Sequence, residues 1–172
     1  MNVPLICDSG LGVSKVGFAG TEAPLAVFPT ILGKLRHQKL LVGMEEEDWF
    51  IGNEVQKNRG KLNLKYPISR AAITNWDNME KTWHYSFYQV LHVAPEQHPL
   101  MLTEPPLNPT SSKEKGLQIL FETSSVPALY LAIFPIWLMA DFVMPELKLR
   151  DIYEFERGHF NRDGEFKSVE NS

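Results

Sequence analysis

The strongest constraint on the fold is a strand–helix–strand series between residues 100 and 133. Leu100-Met101-Leu102 is a short apolar run, and Ala128-Leu129-Tyr130-Leu131-Ala132-Ile133 is another. Between them, Ser111 and Glu114 have capping-box spacing and open a helix through about Thr123. Gly116 weakens that helix by roughly 1 kcal/mol relative to alanine. A strand, a helix and a second strand in this order imply a right-handed crossover and a parallel pair. The start of the chain adds antiparallel strands. Leu5-Ile6-Cys7 leads into turn chemistry at Asp8-Ser9-Gly10-Leu11-Gly12, and Lys15-Val16-Gly17-Phe18-Ala19 resumes a strand. Ala26-Val27-Phe28, closed by Pro29, makes a third strand. The expected class is α/β with a mixed sheet.

Between these parts lies a polar excursion over residues 32–66, broken by Gly33, Gly43, Gly52 and Gly60. Its two ends need to lie close together. Residues 74–91 then carry an apolar stripe of Trp76, Met79, Trp83, Phe87 and Val90, at helical spacing. Thr74 and Asp77 have capping-box spacing at its start. The aromatic stripe reads as core packing. After Ile133 the pattern changes. Phe134 to Met139 is apolar without a period, and residues 146–172 mix both charges. A short helix over 147–156 and a disordered end from about Gly158 are expected there.

Composition narrows the function. The 172 residues are 44% hydrophobic, enough to bury a core, with a formal charge of −4. A mildly acidic chain offers no basic face for nucleic acid. A single cysteine, Cys7, excludes an internal disulfide framework and fits a reducing compartment. No signal peptide is read at the N-terminus, and the apolar stretch 128–145 is interrupted by Pro135 and Asp141, so no membrane association is expected. The five histidines are scattered without metal-ligand spacing, and neither a zinc cluster nor a catalytic triad is apparent.

Ligands of open α/β sheets bind beyond the carboxyl ends of the strands. Asp8, Glu104 and Phe134 follow strands here. In the run Asp8 to Lys15, glycines without Cβ let backbone N–H groups approach a phosphate, Lys15 adds a cation, and Asp8 can hold a hydrated Mg²⁺ or Ca²⁺. Taken alone, such a loop is more often a plain hairpin turn than a phosphate site.

The longer context resembles actin. The matching runs begin with Asp8-Ser9-Gly10-Leu11-Gly12, Lys15, Gly17-Phe18-Ala19-Gly20 and Ala26-Val27-Phe28-Pro29. They continue through Arg36-His37-Gln38, Val42-Gly43-Met44 and Leu64-Lys65-Tyr66-Pro67-Ile68 to the run from Thr74 to Lys81. Leu102-Thr103-Glu104, Pro106-Leu107-Asn108-Pro109, Phe121-Glu122-Thr123 and Val126-Pro127-Ala128 complete a collinear series over about residues 3–133. The resemblance implies the N-terminal half of an actin-like ATPase, a ribonuclease H-like fold. Residues 1–29 and 67–133 would form the larger lobe, and residues 30–66 a small inserted lobe. Residues 134–172 would be a tail foreign to the family. ATP with Mg²⁺ or Ca²⁺ would be the cofactor, met by Gly10, Leu11, Gly12, Val13 and Lys15, with Asp8 on the metal through water. Arg36, His37, Gln38, Leu40, Leu41 and Met44 would match the segment by which one actin subunit grips the next. Actin or actin-binding proteins would be the partners, in the cytoplasm and cytoskeleton.

Departures from the family pattern argue against an active ATPase. Leu11 stands where the family has a serine that meets the terminal phosphate, and leucine cannot donate a hydrogen bond. Phe134 stands where the family has the glutamine that orients the attacking water, and a phenyl ring cannot polarise water. Arg70 replaces the histidine that actins methylate. Glu45-Glu46-Glu47 makes the gripping segment acidic. The family's second phosphate loop, adenosine pocket and second large lobe would follow residue 134, and none of their motifs is read there. The expectation is a truncated actin-like cytoskeletal protein with an incomplete ATP site and weak or absent nucleotide binding. A nucleotide-binding ATPase and a decoy fragment for actin-binding proteins are the alternatives. Splice variant, altered gene copy and fragment all fit the ending.

Overall fold

A computed structural model describes residues 2–36, 49–105 and 107–132, together with the backbone of residues 159–161 and 166–167. Three strands open the chain: β1 (Leu5–Ser9), β2 (Val13–Phe18) and β3 (Ala26–Pro29). They form an antiparallel meander, with Asp8 opposite Lys15 and Lys15 opposite Val27. β9 (Leu100–Thr103) lies parallel to β1, and β10 (Ala128–Ala132) lies parallel to β9. The crossover between them is helix α3 (Thr110–Glu122). The mixed sheet expected from the sequence is therefore present, with the meander on one side of β1 and the parallel pair on the other.

The excursion forms a second sheet. β4 (Leu32–Leu35) pairs on one side with β5 (Trp49–Ile51) and on the other with β6 (Leu62–Lys65). Leu32 faces Lys65, so the chain leaves and returns at neighbouring points. Val55 of helix α1 (Asn53–Asn58) is buried, as are Leu32 of β4 and Leu62 of β6. Gly33 permits the close approach of β4 to β6, because a Cβ there would lie 2.7 Å from Leu62 Cδ1.

A two-strand hairpin follows, β7 (Ile68–Ser69) and β8 (Ala72–Ile73). Its two connecting residues, Arg70 and Ala71, have φ of 51° and 61°. Positive φ at both central positions is the signature of the turn whose twist matches that of paired strands.

The helix over 74–91 differs from expectation in two ways. Asn75, not Thr74, caps α2 (Trp76–His84), its side chain accepting 2.9 Å from the Asn78 N–H. Asparagine is the better N-cap, and it stands one residue nearer the first turn. Past His84 the helix widens into a π-helical segment, Tyr85–Val90. Thr82 Oγ1 donates to the Asn78 carbonyl and Ser86 Oγ to the Thr82 carbonyl, at 3.0 and 2.8 Å. Such back-bonding competes with the backbone ladder and loosens it. The buried hydrophobic residues are Met79, Trp83, Phe87 and Leu91, spaced four apart, with Val90 only partly covered. Four-residue spacing drifts one way round an α-helix and the other way round the wider π-helical turns, so the two segments together hold the stripe on one face.

The capping box at Ser111 and Glu114 does not form. α3 begins two residues earlier, with Pro109 at the N-cap and no side-chain cap, and the Pro109 carbonyl accepts from Ser112 and Lys113 at 3.0 and 3.1 Å. Ser111 thus lies inside the first turn. One face of the large sheet, with Leu5, Cys7, Leu100 and Leu129, packs against α2 and α3. Ile6, Met101, Tyr130 and Ala132 are buried on the opposite face.

Beyond Gly158, where the sequence predicts disorder, the backbone forms β11 (His159–Asn161) and β12 (Phe166–Lys167). β11 runs antiparallel to β10, and β12 to β11, giving the order β12-β11-β10-β9-β1-β2-β3. The outer edge of β10 presents unpaired backbone groups that a short strand satisfies despite poor local propensity. The expected helix over 147–156 lies outside the described residues.

Candidate functional site

The turn after β1 is built to hold a loop at the end of the sheet. The Gly10 N–H donates to the Val13 carbonyl at 2.9 Å, closing the connection, and a Cβ on Gly10 would lie only 3.1 Å from that oxygen. The loop is buttressed from behind. The Thr30 N–H donates to the Gly12 carbonyl at 3.2 Å, and the buried Ser14 and Thr30 hydroxyls share a 2.8 Å hydrogen bond. Leu11 sits at the tip, 57% exposed.

The loop forms one wall of a cleft of about 260 Å³ at the carboxyl ends of β1 and β9. Parallel pairing of Cys7 with Leu102 brings Asp8 alongside Thr103, whose hydroxyl donates to Asp8 Oδ1 at 2.7 Å. Glu104 follows β9. Its carboxylate accepts from Asn108 Nδ2 at 3.2 Å and meets Lys113 Nζ of α3 at 3.2 Å. The Glu104 side chain is nearly enclosed and Lys113 about one-third exposed, so the pair ties the first turns of α3 to the end of the sheet. Behind this polar mouth, Trp76, Met79, Trp83, Gly116 and Leu117 form an apolar interior.

Of the residues singled out in the sequence, Asp8, Gly10 and Leu11 line the cleft. Gly12, Val13 and Lys15 do not. Lys15 stands on β2 opposite Asp8, partly buried, and Val13 is exposed. Among the described residues no three His, Cys, Asp or Glu side chains gather as a metal site. Asp8 retains its second carboxylate oxygen for a hydrated cation, and the glycine turn leaves backbone room for a phosphate. Of the expected phosphate-side residues only Gly10 and Leu11 reach the cleft; the Gly10 N–H is already bonded to the Val13 carbonyl, and Leu11 presents an exposed isobutyl group. Cys7, directly before Asp8, has its thiol pushed up to about 12 by burial and by the neighbouring carboxylate. It therefore stays protonated and takes no part as a thiolate.

Of the six expected gripping residues, Arg36 is the one that is described. Its Nε donates to the Leu62 carbonyl at 3.1 Å, anchoring the end of β4 to β6. His37, Gln38, Leu40, Leu41, Met44 and the Glu45-Glu46-Glu47 run lie outside the described residues, as does Phe134. Thr103, Asn108 and Lys113 are cleft residues that the sequence does not single out, and Trp83, expected only as core packing, also borders the cleft. The run Leu102-Thr103-Glu104 carried the available signal, since a residue ending one parallel strand stands beside the end of its neighbour.

A comparison with protein-family models matches the Actin family over residues 2–139, most of the chain. The chain belongs to the actin family. The match opens ahead of β1 and runs past β10, so the whole meander, the small sheet and the crossover lie within actin-family sequence. The mixed α/β architecture is that of an actin-like fold. Among the described residues, no helix is long and apolar enough to cross a membrane.

Proposed function

We propose that this actin-family chain is a cytoskeletal interaction protein of the cytoplasm, with an ATP site of less than family strength. Its partners are actin or actin-binding proteins, engaged through Arg36, His37, Gln38, Leu40, Leu41 and Met44. ATP with Mg²⁺ or Ca²⁺ is held weakly, and hydrolysis runs near background. The observation that carries the nucleotide part of this reading is Leu11, exposed at the loop tip on the mouth of the cleft. It offers no hydrogen bond to a terminal phosphate and sets an apolar group against it, a loss of roughly 1 kcal/mol or more. Phe134 adds a second chemical argument, because a phenyl ring supplies no group to orient water.

Glu45-Glu46-Glu47 gives the gripping segment an acidic character that favours partners with basic surfaces. Two pairs of measurements on the 172-residue chain test the proposal. Co-sedimentation with actin filaments and pull-down with monomeric actin or its binding proteins test the interaction, and failure of every arm overturns it. Isothermal titration with Mg-ATP, followed by a phosphate-release assay, tests the site. Tight binding with family-like turnover overturns the weak-site reading.

A further inference from the structure

The large sheet buries side chains on both faces, and among the described residues helices pack on one of them. α2 and α3 supply Met79, Trp83, Leu117 and Leu120 to the core on the face of Leu5 and Leu129. On the other face Ile6 of β1, Met101 of β9 and Tyr130 of β10 stand in one cross-strand row, 4%, 0% and 0% exposed. Ala132, two residues further along β10, is buried with them. Among the described residues, the apolar side chains of this cluster come from those strands and from Ala19, just past β2. Side chains on one face of a sheet stand side by side, roughly perpendicular to it, and do not cover one another's tips. Full burial of a methionine and a tyrosine there takes a second layer.

The burial is also lopsided. Asp8 pairs with Lys15 and Lys15 with Val27, and residues two apart on a strand share a face, so Val13 and Val27 lie on the same face as Ile6. They are 44% and 51% exposed. The covering layer therefore sits over β1, β9 and β10 and stops short of β2 and β3. Residues 133–158 are attached on that side. They leave from the end of β10 and return in β11, which pairs with β10. The first twelve of them, Ile133 to Met144, carry a single charge, Asp141. β10 delivers this apolar run to the rim of the buried face, directly after Ala132. Three adjacent strands span about 10 Å, and twelve residues reach about 18 Å even at helical rise. The tether also gives the run an effective concentration on the order of millimolar over the face, which a separate chain does not match at ordinary concentration.

We propose that residues 133–144 pack on the face of the large sheet opposite α2 and α3, over Ile6, Met101 and Tyr130. The face is then an internal surface completed by the chain itself, not a docking surface for another protein. This packing is independent of the nucleotide cleft and of the gripping residues.

Met101 and Met79 are both fully buried and lie on opposite faces of the sheet, so their oxidation reports the two layers separately. In the 172-residue chain neither should react with hydrogen peroxide faster than the chain opens. The double variant Trp137→Ser, Leu138→Ser makes the run more polar. It is expected to speed Met101 oxidation about tenfold or more, read by peptide mass spectrometry, with Met79 changing less than about twofold. Contacts are read directly on the parent chain by NMR, in an equal mixture of methyl-labelled and unlabelled protein. The Met101 methyl is expected to show cross-peaks to the ring of Phe134, Trp137 or Phe142 within one molecule. This measurement decides the matter if the double variant unfolds as a whole and both methionines react. The proposal is overturned if those cross-peaks are absent, or if they arise only between labelled and unlabelled copies, which would assign the face to a second chain. It is also overturned if Met101 in a folded double variant reacts no faster than in the parent.

Discussion

The Thr103 hydroxyl donates a 2.7 Å hydrogen bond to Asp8 Oδ1 across 95 residues of chain. It joins the ends of two parallel strands at the mouth of the cleft and fixes which way the Asp8 carboxylate points. Bonds to charged acceptors are worth about 1.5–3 kcal/mol, less where solvent reaches them. Thr103→Val keeps the side-chain shape and removes the donor. We expect it to lower unfolding free energy by about 1–2 kcal/mol in urea melts. In the Asp8→Asn background the same change is expected to cost less than half as much. Equal costs in both backgrounds would show that the charge on Asp8 does not matter to the bond.

Leu11 provides the complementary experiment. Leu11→Ser places a hydroxyl at the tip of the glycine turn, where leucine is exposed and its removal opens no core cavity. Mg-ATP affinity measured by calorimetry is expected to rise about fivefold, the equivalent of one added hydrogen bond. Stability is expected to change by less than about 0.5 kcal/mol, as for other surface substitutions. Unchanged affinity would mean that Leu11 is not what limits nucleotide binding.

Local pattern was enough to read the meander, the parallel pair and the buried stripe of α2. Each rests on periodicity within one element or on the handedness of one crossover. The glycine turn was legible for the same reason, since Asp8, Gly10 and Leu11 are neighbours in sequence. The rest of the cleft was not. Thr103 reaches Asp8 only because Cys7 pairs with Leu102, and Trp83 looks like any other member of a core stripe until the cleft beside it is seen. The π-helical segment depends on Thr82 and Ser86 choosing backbone carbonyls as partners, a choice no spacing rule encodes. β11 and β12 depend on the free edge of β10 rather than on their own residues.

The hairpin of β7 and β8 carries removable strain. Arg70 and Ala71 both adopt positive φ, a conformation that costs a residue with a Cβ roughly 1 kcal/mol. Asparagine and glycine are the residues this turn prefers. The double variant Arg70→Asn, Ala71→Gly is expected to raise stability by about 1 kcal/mol in chemical denaturation, part of the gain being offset by the greater freedom of glycine in the unfolded chain. A loss of stability would imply that Arg70 makes a contact worth more than the strain.

Gly33 is expected to behave oppositely. A methyl group at this position would meet Leu62 Cδ1 at 2.7 Å and Leu62 Cβ at 3.0 Å, and Leu62 is itself fully buried. Gly33→Ala therefore separates β4 from β6 or forces Leu62 off its rotamer, at about 1–3 kcal/mol. The loss should appear first as faster amide exchange in β4–β6, with the large sheet little affected. Uniform acceleration across both sheets would indicate that they unfold as one unit.

Cys7 makes the stability of the large sheet sensitive to alkali. Its thiol is buried in the core, and burial together with Asp8 raises it from 9.0 to about 12. Below the lower value both folded and unfolded chains hold the proton, and pH has no effect through this group. Between the two values the unfolded chain has lost the proton while the folded chain keeps it. The unfolded state then binds fewer protons, so stability falls as pH rises, by up to about 1.4 kcal/mol per pH unit. Urea melts from pH 7 to pH 10.5 are expected to show this decline in the parent chain and a shallower one in Cys7→Ala. At neutral pH a thiol reagent should react with Cys7 no faster than the chain opens, so the rate should saturate with reagent concentration. Rapid second-order labelling of the folded chain, or parallel pH profiles for parent and variant, would overturn the assignment of a buried, proton-retaining thiol.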